Sequence, residues 1–169
     1  MTYEFISLIA DISLALSFLG AVVFGIFQVR DARRDRRERL TMEALQNIQT
    51  REFAEISGQL SYHRSPSTFK EFDEIPLNEQ AKLIQFSQEM ESLGILVADR
   101  LIDIDIVDKT LGSFVTTAWQ KYKPIFEEIR KKHSDPFLGE YFQWLAEYIN
   151  NRMKKEPRKP FYETHRFTS

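Results

Sequence analysis

The chain has 169 residues, a net charge of −2, six Gly, six Pro and no Cys. Without Cys there is no disulfide framework, no thiolate metal site and no cysteine nucleophile. So few Gly and Pro exclude a turn-rich all-β protein, and the length allows one compact domain besides any membrane anchor.

The first element is the run Ile12–Val29, ISLALSFLGAVVFGIFQV, which contains no Lys, Arg, Asp or Glu. As an α-helix it would be about 27 Å long, close to the ~30 Å hydrocarbon core of a bilayer. Extending the span back through residues 5–10 would put Asp11 inside it, at a cost of roughly 2.5–3.5 kcal/mol. Asp11 is therefore expected at the outer interface. Six arginines follow within Arg30–Arg39, whereas the N-terminal flank has Glu4 and no Lys or Arg. Positive charge beside a span stays on the cytoplasmic side. The sequence thus predicts a single-pass protein of the cell (inner) membrane, with its N-terminus outside and its C-terminal domain cytoplasmic. A cleaved signal peptide would need basic residues before a shorter apolar core and a small-x-small site after it. Here the basic residues follow the run and no such site is present.

Within the run, Ser13, Ser17, Ala21 and Gly25 recur every four residues, with Gly20 beside them. Small residues at this spacing let two helix backbones approach closely, so the stripe points to a homo-oligomer. The same residue types are also common in membrane helices generally. Arg30, Arg33, Arg34, Arg36 and Arg37 are expected either at lipid headgroups, at about 1 kcal/mol each near an anionic surface, or as a topology signal alone. Residues 40–169 carry a net charge of −3. That weighs against nucleic acid as a partner, because binding it requires a basic surface.

Arg30–Ser61 reads as one helix leaving the membrane, with no Pro and only a late Gly58. Asp35–Arg39 and Arg39–Glu43 are opposite charges four apart, which support an exposed helix. Met42, Leu45, Ile48, Phe53, Ile56 and Leu60 fall on an arc of about 140°, an amphipathic pattern. Tyr62–Pro76 is a connection with a turn at Ser65–Thr68, a surface histidine at His63, and Phe69 and Phe72 tucked onto the core.

From Leu77 to about Leu101 a second helix is predicted, with Leu83, Phe86, Met90, Leu93 and Val97 facing inward and Gly94 marking a close crossing or a bend. Asp99–Asp108 is rich in Asp but lacks the central Gly and closing Glu of an EF-hand. It reads as an interhelical turn, with Asp103 or Asp105 capping the next helix. That helix starts near Asp105 and buries Val107, Leu111, Phe114, Ala118 and Tyr122. Pro124 is expected to kink or split it. Asp135-Pro136 reads as the cap and first residue of a last helix, Pro136 to about Met153, with Leu138, Phe142, Leu145, Ile149 and Met153 inward. Lys154–Ser169 is a charged, proline-containing tail. Its Arg158 and His165 match a spacing seen in helical ribonucleases but lack that motif's helical context. The resulting divisions are 1–29, the N-terminal segment and span; 30–61, the stem and first amphipathic helix; 62–153, the bundle; and 154–169, the tail.

Glu91-Ser-Leu-Gly94, Leu101-Ile-Asp103, Trp119-Gln-Lys-Tyr-Lys-Pro124, Ile129-Arg130 and Phe142-Gln-Trp-Leu145 together resemble a family of short bacterial proteins of unknown function. The resemblance covers roughly residues 5–150 and implies one N-terminal membrane helix followed by a cytoplasmic helical domain. It implies no active site. Glu91, Asp103, Trp119 and Arg130 are its candidate interaction surface, or else a polar network between helices.

The expected fold class is therefore all-α: a single transmembrane helix continuing into a cytoplasmic bundle of about four helices. No Gly-rich phosphate loop, HExxH or GxSxG occurs, so no catalytic residue, metal or cofactor is expected. The expected partners are the bilayer, further copies of the chain and a cytosolic protein, consistent with a non-enzymatic interaction or scaffolding module. The alternatives are a toxin- or immune-type membrane effector whose assembly perturbs the bilayer, and a hydrolase with an unrecognised site.

Overall fold

Helix-forming composition and 3.6-residue periodicity produce helices throughout. In a computed structural model, residues 2–48, 50–62, 66 and 68–164 are described. They form α1 (Thr2–Ile48), α2 (Arg51–Tyr62), α3 (Phe69–Glu74), α4 (Leu77–Ala98), α5 (Ile104–His133), α6 (Glu140–Lys155) and α7 (Phe161–Thr164), with no strand among them. His63, Ser65, His165 and Phe167 lie outside the described residues. The chain divides into two compact units, residues 1–39 and 40–169. The first is the apolar helix and its charged extension.

The second unit is built around α6, which packs against both α4 and α5. Phe86, Met90, Val107, Val115, Phe142, Leu145 and Ile149 are completely buried. The predicted stripe of α4 is in the core at Phe86, Met90, Leu93 and Val97, with Leu83 packed at its edge. An aromatic cluster fills the centre: the Phe142 ring lies 5.9 Å from Phe86 and 5.2 Å from Trp119. Gly94 marks a close crossing, because a Cβ there would sit 2.4 Å from the Tyr141 carbonyl oxygen.

Four expectations are corrected. The helix predicted over Arg30–Ser61 is interrupted: α1 ends at Ile48 and α2 starts at Arg51. The Thr50 hydroxyl accepts the Phe53 N–H at 3.2 Å, so a threonine cap restarts the helix without Gly or Pro. On either side of this break Leu45, Ile48, Phe53 and Ile56 are buried, but Met42 is exposed; the Leu60 side chain is outside those described. Pro124 does not split its helix, since α5 runs through it to His133. Pro124 is exposed, while its neighbours Tyr122, Ile125 and Phe126 are buried; their packing offsets the ~3 kcal/mol that an interior Pro costs.

The third correction concerns the last helix, which begins at Glu140 rather than Pro136. Asp135 caps a turn instead, its Oδ1 accepting the Phe137 N–H at 3.0 Å. Gly139 takes φ +69° immediately before α6, against the Phe126 ring, where a side chain would be both strained and blocked. Leu138 lies in this turn, 36% exposed, rather than on the helix. Last, the connection Tyr62–Pro76 contains the short helix α3, capped by the Thr68 hydroxyl. In the tail, α6 extends to Lys155, and Phe161 and Tyr162 of α7 are exposed.

Candidate functional site

The first unit presents an apolar surface that nothing in that unit covers. A stretch within Ile6–Ile48 is long and apolar enough to cross a membrane, and none of it is buried. Phe18 and Phe24 are each 69% exposed. Leaving such side chains in water forfeits about 1.5–3 kcal/mol apiece, which makes this surface the candidate site of the first unit. Ser13, Ser17 and Ala21 are exposed on this helix and Gly25 is half-exposed. The Ser13 hydroxyl donates to the Ile9 carbonyl at 2.8 Å, which satisfies it without any external partner. Gly20 and Gly25 have open space where a Cβ would stand.

Arg30, Arg33, Arg34, Arg36 and Arg37 follow on the same helix, all exposed. Within this block Arg34 pairs with Glu38 at 2.9 Å, four residues on. The Glu38 carboxylate raises the Arg34 pKa through this hydrogen bond.

Glu91, Asp103, Trp119 and Arg130 take positions inside or along the seams of the bundle. Both carboxylate oxygens of Glu91, on α4, accept backbone N–H groups at the start of α6: Tyr141 at 3.2 Å and Phe142 at 2.8 Å. Glu91 thus caps a helix fifty residues further along the chain, and its charge faces the positive end of that helix. Arg130 ties α5 to the same region: Nε donates to the Leu138 carbonyl at 2.8 Å and Nη1 to Gln143 Oε1 at 2.7 Å. Its guanidinium also lies 5.8 Å from the centre of the Trp119 ring, and Trp119 itself is 4% exposed, a core residue. Asp103 caps α5 through the Asp105 N–H, and its own N–H donates to the buried Thr41 hydroxyl at 2.9 Å. Replacing Glu91 with Ala leaves two helix-end N–H groups without their carboxylate. The expected loss is about 2–3 kcal/mol of bundle stability, read by urea denaturation, with Glu91→Gln losing less.

Sequence reasoning missed two further features. A cavity of about 210 Å³ is lined mainly by apolar side chains, among them Phe72, Leu83, Tyr122, Ile125 and Ile129, with Ser87, Gln88 and Glu91 at its polar edge. A charged cleft between the start of α5 and the end of α6 is lined by Asp105, Asp108, Lys109, Arg152, Lys155 and Arg158. Arg152 is hydrogen-bonded to Asp105 and has Nε 4.0 Å from Asp108. Burial works to lower its pKa, but the Tyr148 hydroxyl and Asp105 carboxylate outweigh that and raise it. Both features join residues distant in sequence, so no local motif signals them. Among the described residues no group of three or more His, Asp or Glu could hold a metal ion.

The family model of a domain of unknown function, DUF4760, matches residues 8–149. The matched stretch takes in the apolar helix of the first unit and the helices of the second through most of α6. No curated protein and no solved structure matches the chain.

Proposed function

The chain belongs to the DUF4760 family, a domain of unknown function, and we propose that it is a single-pass membrane protein acting as a non-enzymatic interaction module, self-associating through its anchor. The observation that carries this reading is an apolar helix of which nothing is buried, in a chain whose second unit has a core of its own. Such a helix is a surface to be covered, and a bilayer covers it at little cost. The arginine block at one end orients the chain, with the N-terminus outside and residues 40–169 on the cytoplasmic side. On that side the bundle is free to hold a cytosolic partner while the span gathers copies together.

Crosslinking of the full chain in native membranes tests the association. Dimers or larger species are expected, reduced about fivefold or more by Gly25→Leu, since close helix packing depends on small residues. Open space around Gly25 accommodates the leucine within one copy, so the substitution reads contacts between copies rather than folding. A monomer throughout would remove the self-association claim.

A further inference from the structure

Charge is unevenly spread over the second unit. Residues 40–169 carry a net −3, yet 152–159 alone carry +4, which leaves −7 on the rest. Lys154, Lys155, Arg158 and Lys159 are all exposed, and none has an ion-pair partner among the described residues. Lys109, near the start of α5, is exposed too and lines one cleft with Lys155 and Arg158. The acids of that cleft are Asp105, Asp108 and Glu156, of which the first two turn towards Arg152.

The ordinary uses of basic residues account for only part of this. A topology signal acts within about 15–20 residues of a span, and 152–159 lie far beyond that in the chain. Lys154 and Lys155 stand in the last turn of α6 and complement the negative end of its dipole. Arg158 and Lys159 follow the end of that helix and serve no such purpose. Solubility needs charge alone, yet exposed aromatics accompany these charges. Tyr162 is 74% exposed, and Trp144 and Tyr148 of α6 stack with ring centres 5.2 Å apart. Wound at about 100° per residue, Trp144, Tyr148 and Lys155 fall within an arc of about 40°. Lys and Arg at the phosphates, with Tyr and Trp at headgroup level, is the chemistry that an anionic lipid leaflet selects.

We propose that the segment 154–162 docks on an anionic lipid surface, with Lys154, Lys155, Arg158 and Lys159 on the lipid phosphates and Tyr162 among the headgroups. The inference rests on the anchored reading above, which keeps a bilayer within reach of the chain. It adds a second lipid contact that, unlike the apolar helix, responds to lipid charge. Glu156 and Glu163 leave the stretch 152–164 at a net +3, so the attraction survives them.

The full chain has no Cys, so Thr164→Cys gives one exposed position beside Tyr162 for a polarity-sensitive dye. The labelled chain is reconstituted in vesicles of phosphatidylcholine, or of three parts phosphatidylcholine to one of phosphatidylglycerol. Flotation with pure phosphatidylcholine reads the anchor, and the dye reads the tail. Phosphatidylglycerol is expected to raise the ratio of docked to free tail about tenfold or more, since each basic residue near an anionic surface is worth about fivefold. High salt is expected to reverse the rise and leave flotation intact. Arg158→Glu/Lys159→Glu, both outside α6, should lose the rise, and Tyr162→Ser should weaken docking about threefold or more. Unchanged docking in either variant overturns the proposal. So does a dye response to an added single-stranded oligonucleotide with none to phosphatidylglycerol, which would make nucleic acid the occupant. Failure to float with phosphatidylcholine overturns the anchored reading; flotation with a dye indifferent to phosphatidylglycerol overturns the tail proposal alone.

Discussion

Phe142→Ala is expected to destabilise the bundle by about 3–5 kcal/mol, because truncating a fully buried aromatic loses its transfer free energy and leaves a cavity. Phe142 has no solvent exposure, and its ring meets those of Phe86, Trp119 and Phe126 at centroid distances of 5.9, 5.2 and 6.2 Å. Phe142 also provides one of the two N–H groups that Glu91 caps. The loss therefore falls where α4, α5 and α6 all converge. Since a domain's whole stability is only about 5–15 kcal/mol, the variant should be near its unfolding midpoint in dilute urea. Circular dichroism of the full chain in detergent, titrated with urea, checks it. A change below about 1 kcal/mol would mean that this aromatic centre is not packed as described.

The second large effect lies in the first unit. Leu19→Asp/Val22→Asp puts two carboxylates near the middle of the apolar stretch. Each is expected to cost roughly 2.5–3.5 kcal/mol on an insertion scale, and a short acidic side chain cannot reach the interface as arginine can. Together they should lower membrane insertion by a thousandfold or more, at about 1.4 kcal/mol per tenfold. Both positions are exposed and neither contributes to the bundle core, so the bundle should keep its helicity. Fractionation of expressed protein into membrane and soluble pools measures this. If the doubly substituted chain partitions as the parent does, this stretch is not what holds the protein to a bilayer.

Local chemistry made most of the bundle legible. Steps of three and four from Phe86 to Val97 give the buried face of α4 because packing there only has to agree with helix geometry. A cap at Asp103 or Asp105 was readable from local chemistry, and it is Asp103, whose partner is two residues away. Gly94 was readable as a close crossing or a bend, since a glycine inside a helix is costly, and the fold makes it a close crossing. Features set by distant partners were not legible. Asp135-Pro136 is a good start signal on its own, but α6 begins later, where Glu91 supplies the acceptors. The break before Thr50 carries no breaker residue, since a threonine cap can form at modest cost once the flanking residues gain burial on both sides. Proline at position 124 is a strong local signal overridden by packing. The candidate interaction residues divide the same way. Glu91 and Arg130 were visible as polar residues, while their bonds to the start of α6 and the turn before it came only from the fold.

The most direct measurement is alkaline extraction of membranes carrying the full chain, followed by detergent. The account predicts that the protein stays with the membrane pellet at high pH and salt, and is released only when detergent replaces the lipid around residues 12–29. Full release into the aqueous phase without detergent, with the backbone amides of 12–29 protected from exchange in the released protein, would contradict it.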